Sequence, residues 1–317
     1  MRGLTRKSAS RGRLLVFCLA AAVLLFGTSY VASVNVSANH PVLVEGNCDS
    51  PVPGTNLVEE GTCGDFDGDG RIGTAEDTDG ADRIFGTIRA AMGPGTGAAA
   101  GTNANWNGNI TIVKSGRFAE QVFIGQSGFI PGEGTANPGN VTLQAAPGVE
   151  AIIDAVLQGD PAGGNTARQA GIGIYILYNG DNVVTLRNLT IRNFAEGVAI
   201  SLNAKVVIDN CRFENNQNHG VHSRDFTKLV MNNSTITGTG HRIPVSGPPS
   251  PGNGLTVDGG QNAQARLTDC VISHNFGAGI YSGYAAPNIV LYKVSTYFNN
   301  PDIVGTVTIA PDPNYSN

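Results

Sequence analysis

Apolar positions alternate with polar ones in short runs down the second half of the chain, and the runs recur. Leu186–Ile191 (LRNLTI), Ile208–Phe213 (IDNCRF), Met231–Ile236 (MNNSTI) and Leu267–Ile272 (LTDCVI) each hold an Asn or Asp between aliphatic flanks, and a degenerate copy begins at Leu291. A glycine followed by an aliphatic residue keeps step with them: Gly173-Ile174, Gly197-Val198, Gly220-Val221, Gly254-Leu255 and Gly279-Ile280, spaced 24, 23, 34 and 25 residues apart. Period-2 runs bounded by Gly and Asn predict strands, and a fixed repeat of this length predicts a stacked solenoid. A unit of about 23 residues with several short strands is one rung of a right-handed parallel β-helix. The expected class is all-β: a single-stranded right-handed parallel β-helix over 84–317. Before the regular rungs, Ile110–Val113, Gln121–Ile124, Val141–Gln144 and Ala151–Asp154 read as further strands. Gly86–Met92, with Thr87 as N-cap, reads as a short N-terminal capping helix, because a solenoid's first rung must otherwise expose its edge and its core.

The period breaks once. Between Ile236 and Leu255 the chain carries about ten extra residues, rich in Gly and Pro and bearing His241 and Arg242. An insertion on one face of a repeat scaffold either builds a binding site or is a tolerated surface loop.

Composition narrows the class. With 43 glycines and 14% charged residues in 317, the chain suits tight stacked corners, and its aliphatic strands exclude general disorder. Arg2, Arg6, Lys7, Arg11 and Arg13 precede an apolar stretch, Leu14–Phe26, and small residues up to Ala38. That is the pattern of an export signal over 1–38, with an uncleaved anchor as the alternative. Loss of its five basic residues takes the formal charge from −5 to −10. The mature chain is then expected to have no transmembrane segment, to be secreted or held at the cell surface, and to take no nucleic-acid partner, because an acidic exterior repels polyanions.

The segment 39–83 carries the sharpest motif, Asp65-Phe-Asp67-Gly-Asp69-Gly70-Arg71-Ile72-Gly-Thr-Ala-Glu76. It matches the spacing D-x-[DN]-x-[DN]-G-x5-E of a Ca2+ loop. Asp65, Asp67 and Asp69 offer single oxygens, Arg71 its carbonyl and Glu76 a bidentate carboxylate. The flanks make a poor helix pair, so the loop resembles dockerin-type extracellular calcium modules and is expected to be structural. Cys48 and Cys63 flank a Pro/Gly-rich stretch and are expected to form a disulfide. Cys211 and Cys270 occupy one rung position with the Ser234 rung between them. Two rungs at about 4.8 Å each exceed disulfide reach, so free, buried, inert thiols are expected.

The order of segments resembles the pectin-lyase-like superfamily over residues 84 to about 300. The resemblance rests on Thr87-Ile-x-x-Ala91, Ile110-Thr-Ile-Val113 leading to Gly116-Arg-Phe-Ala-Glu120, Val141–Gly148 and the repeated Leu-x-Asn-x-x-Ile. It implies the fold and leaves activity open, since one scaffold hosts many chemistries. Gly116-x-Phe-x-Glu120 is similar to the first block of pectin methylesterases, but their later catalytic blocks have no counterpart here. The paired carboxylates of polygalacturonases are also missing, and without them the two-acid hydrolytic route has no acid or base.

Aligning the Gly-aliphatic starts places Tyr175, Ala199, His222, Thr256 and Tyr281 in one outward column, with Leu177, Ser201, Arg224, Asp258 and Gly283 beside it. The candidate ligand-binding face is Tyr175, His222, Arg224, Thr256, Asp258 and Tyr281. Rings and charged donors on a flat sheet suit a polysaccharide or cell-surface glycan, and Arg224 is placed to grip a carboxylate. The alternatives are a lyase or epimerase acting on an acidic glycan through the same residues, and a solvated face of a structural envelope protein with an Arg224–Asp258 pair of little worth. Oligomeric state and catalysis are not legible. Asn188, Asn210, Asn233 and Asp269 read as a stacked turn column, and His219 and His274 as exposed corner residues.

Overall fold

A computed structural model of the chain describes residues 42–45, 83–85, 88, 91, 108–125, 140–155, 171–178, 181–240, 252–259, 262–283 and 288–311. Three parallel sheets, of ten, seven and seven strands, run the length of these residues. Each pairs strands one rung apart. In the first sheet Val183–Arg187, Lys205–Asp209, Lys228–Asn232, Gln264–Thr268 and Asn288–Tyr292 lie side by side. The second sheet is built on Ala151–Asp154, Leu189–Arg192, Arg212–Glu214, Thr235–Thr237, Val271–Ser273 and Ser295–Tyr297. The third runs Val122–Gly125, Ile172–Tyr178, Glu196–Leu202, His219–Ser223, Asn253–Val257, Ile280–Ser282 and Ile303–Val304. This is a parallel β-helix. The strands expected at 110–113, 121–124, 141–144 and 151–154 lie at Asn109–Lys114, Val122–Gly125, Val141–Ala145 and Ala151–Asp154.

Inward residues stack into aliphatic columns. Val184, Leu186, Val206, Ile208, Leu229, Met231, Ala265 and Leu267 fill the first sheet's inner face, each nearly or fully inaccessible. Cys211 and Cys270 are free and buried as expected, and burial pushes the Cys211 thiol up to about 12.

The corners explain the Asn repeat. Asn188, Asn210, Asn233 and Asp269 all adopt left-handed backbone, with φ between 48° and 58°, a region Asn and Asp tolerate better than other residues with a Cβ. Asn210 Nδ2 donates to Asn188 Oδ1 at 2.8 Å. A second corner, leading into the third sheet, holds the buried Asn216 and Asn275 and the half-buried Asn299. Asn275 Nδ2 donates to Asn299 Oδ1 (2.8 Å), and the Thr239 amide donates to Asn275 Oδ1 (3.0 Å). These side chains saturate backbone groups that the turn leaves without ladder partners.

The capping helix expected over 86–92 is not supported as an element. Only Ile88 and Ala91 of that segment are described, isolated helical positions whose side chains are fully buried. The export segment, the Ca2+ loop at 65–76, the Cys48–Cys63 pairing and residues 241–251 of the insertion lie outside the described residues. The ends of the insertion meet: a Cβ built on Gly240 would sit 2.6 Å from the Gly252 Cα. The extra residues therefore leave and re-enter at one corner without disturbing the stack.

Candidate functional site: a histidine and carboxylate cleft on the third sheet

The third sheet's repeated glycine sets the site's geometry. Along Glu196–Leu202 and His219–Ser223 the register pairs Glu196 with His219, passes over Gly197 and Gly220, and resumes with Val198 against Val221 and Ala199 against His222. A Cβ on Gly220 would strike Ile236 Cγ2 at 2.3 Å, and one on Gly254 would meet Ile272 Cγ2 at 2.8 Å. The glycine thus faces the core, as does the aliphatic residue after it. Two consecutive inward positions bring the residue before the glycine onto the same outer face as the residue two after it. Two outward columns result: Ile172, Glu196, His219 and Asn253 in one, and Tyr175, Ala199, His222, Thr256 and Tyr281 in the other.

These columns enclose a cleft of about 510 Å3 lined by His219, His222, Asn253, Thr256, Asp258 and Tyr281, with Asn300, Pro301 and Val304 closing one side. Behind its wall Arg224 Nη2 donates to both oxygens of Glu196, at 2.6 and 2.8 Å. Arg224 Nε donates to His222 Nδ1 at 3.1 Å, which fixes the neutral tautomer with Nε2–H donating to Asp258 Oδ2 at 2.9 Å. When His222 is protonated, Nδ1–H turns instead to Glu196 Oε2, 3.2 Å away. Burial opposes that charge, but the two carboxylates outweigh it, and the pKa of His222 is raised above 6.5. Burial works against the charges of Glu196 and Asp258 as well; His222 and Arg224 overcome it and lower both. His219 is the contrast. Burial, reinforced by the neighbouring His222 charge, lowers it to about 4, so it is neutral at physiological pH. The two rings lie 4.3 Å apart between centroids. His219 Nδ1 meets Thr256 Oγ1 at 2.9 Å, and Asn253 Nδ2 donates to the same oxygen at 3.2 Å.

Of the face read from the sequence, His222, Arg224, Thr256, Asp258 and Tyr281 come together. Tyr175 shares the column but stands apart, separated from His222 by Ala199 and packed edge-on against Phe123 at 5.7 Å. Two readings change. Arg224 pairs with Glu196 rather than with Asp258, so its fork is already engaged and does not offer a free carboxylate grip. His219 is a half-buried strand residue in the cleft wall, not an exposed corner. His274 does lie at an exposed corner, with φ 55°. Glu196 was missed because alignment began at the glycine; the residue preceding each glycine carried the signal. A depression of about 560 Å3 elsewhere is lined by Asp181, Lys205, Phe226 and Lys228. Its Lys205–Asp181 pair leaves Asp181 fully in solvent, which marks ordinary charged surface.

Glu196, His219 and His222 each present one donor atom within 4.8 Å of the others, the one set among the described residues that could hold a metal ion. The described residues include no helix long and apolar enough to cross a membrane.

Comparison with known proteins agrees with the sheet topology. A family model described as a right handed beta helix region matches residues 155–303. The chain has the right-handed parallel β-helix fold. The crystal structure of pectate lyase Pel9A is similar at 15% identity over 73% of this chain and 72% of that one, with a TM-score of 0.34, a distance at which no argument about activity or site follows. No curated protein matches. The β-helix therefore rests for its function on its own cleft.

Proposed function

We propose that this β-helix is an exported, polysaccharide- or cell-surface-associated protein that seats a glycan in the third-sheet cleft. The observation that carries the reading is the convergence of Asn253, Thr256, Asp258 and the Tyr281 ring on one open cleft of about 510 Å3. Amide, hydroxyl and carboxylate groups suit sugar hydroxyls, and an aromatic ring suits a sugar's apolar face. Because Arg224 is engaged by Glu196, the cleft favours a neutral sugar over a uronate. Retention of the protein on a panel of immobilised neutral and acidic polysaccharides tests this. Retention by neutral chains that falls at least tenfold in Asp258→Ala and Tyr281→Ala supports it, and no retention by any chain overturns it.

A second reading is favoured by the Glu196–His222–Asp258 chain beside a neutral His219. Acid–base groups whose surroundings push their pKa values apart beside one cleft suit the proton transfers of a lyase or epimerase. New unsaturated ends or epimerised products from an acidic glycan would select it. The loop at 65–76 completes the proposal as a structural Ca2+ site held by Asp65, Asp67, Asp69, the Arg71 carbonyl and Glu76.

A further inference from the structure

We propose that Glu196, His219 and His222 form a seat for a divalent transition metal of the zinc class, and that Arg224 is the resident cation filling it in the metal-free protein. Two imidazoles and a carboxylate are a ligand set suited to zinc and its neighbours rather than to Ca2+. Each ligand is already oriented for the task. Asp258 Oδ2 accepts His222 Nε2–H at 2.9 Å, which leaves the Nδ1 lone pair directed at whatever cation lies between the rings and Glu196. Thr256 Oγ1, held by Asn253, can accept His219 Nδ1–H at 2.9 Å and so leave Nε2 bare. A carboxylate or hydroxyl on the distal ring nitrogen is the outer support that metal-binding histidines require.

The guanidinium shows where the cation sits. Arg224 Nε contacts the Nδ1 lone pair at 3.1 Å while Nη2 bridges both Glu196 oxygens. It thus engages two of the three ligands in the manner of a bound cation. Donors about 2.1 Å from a tetrahedral metal stand about 3.4 Å apart; the present atoms lie within 4.8 Å, so the seat closes inward once Arg224 leaves. Arg224 is about one-third exposed and has solvent to move into. A metal here would turn an open coordination position toward the cleft lined by the same two histidines.

This inference does not depend on the glycan reading. The test is calorimetric titration of the full-length protein with Zn2+ alone and visible spectroscopy with Co2+ alone. It compares wild type, Arg224→Met, and Arg224→Met combined with His219→Ala or His222→Ala. Arg224→Met keeps the packed stem and removes the charge; Arg224→Gln serves if that variant fails to fold, as checked by circular dichroism. The expected result is one equivalent bound at least tenfold more tightly by Arg224→Met than by wild type, with a nitrogen-ligand Co2+ spectrum. Either histidine replacement should weaken it at least a hundredfold. Binding no tighter in the folded Arg224 variant than in wild type, or binding that survives both histidine replacements, overturns the proposal.

Discussion

Asp154 and Glu196 are both held by arginine in this β-helix, and they serve opposite ends. Asp154, at the end of a second-sheet strand, is completely buried. It accepts from Arg192 Nε at 2.8 Å, from Asn193 Nδ2 at 2.6 Å and from Arg117. These donors are two arginines and an amide, with no histidine among them. Glu196, one sheet away, is also held by an arginine, yet it shares that partner with His222, and His222 leads to the half-exposed Asp258 and an open cleft. The difference is what separates a structural ion cluster from a candidate site. Burial and strong pairing are common to both. Histidine and solvent access belong to one alone.

Breaking the first cluster has the largest expected effect. Asp154→Ala leaves two arginines over a buried void and is expected to cost about 3 kcal/mol, read as a lower denaturation midpoint with polysaccharide retention intact below it. Next comes the kink glycine. Gly254→Ala puts a Cβ 2.7 Å from the Gly279 carbonyl oxygen and 2.8 Å from Ile272 Cγ2, and overpacking of this kind costs about 1–3 kcal/mol. The same substitution shifts Asn253 against His219, so retention should fall along with stability. Asp258→Ala sharpens the comparison from the other side. A partly exposed carboxylate contributes about 1 kcal/mol or less to folding, so melting should barely move while retention is lost.

The smallest effect separates the histidines by pH. His222 is raised in the fold, so its contribution to stability is complete below the unfolded value near 6.5 and is lost as pH rises through the folded one. His219 is lowered to about 4, so its neutral form contributes above 6.5 and that contribution is lost as pH falls toward 4. Ring-proton NMR titration should show one histidine midpoint above 6.5 and one near 4, removed by His222→Gln and His219→Gln respectively. Midpoints near 6.5 for the two resonances that these substitutions remove would contradict the burial and pairing described.

The sequence carried the fold because the repeat is periodic in the quantity that stacking requires. Each rung repeats an inward aliphatic pair and a left-handed Asn corner, so aligning Gly173, Gly197, Gly220, Gly254 and Gly279 recovers the real register of the third sheet. The site was half legible for the same reason. The column Tyr175–His222–Thr256–Tyr281 follows strand parity. Glu196 and His219 do not, because the inward glycine interrupts the alternation and returns them to the outer face. The pairing of Arg224 was not legible either. Its choice of Glu196 over Asp258 is a tertiary property that no spacing encodes.

The most direct test of the cleft is quantitative retention of the purified protein on neutral polysaccharides, with Asp258→Ala and Asp154→Asn run beside wild type at a temperature where all three are folded. Loss of retention in Asp258→Ala alone is the predicted result. Equal retention by all three, or equal absence, would contradict a glycan seat on the third sheet and return the histidine–carboxylate chain to the same structural role as Asp154.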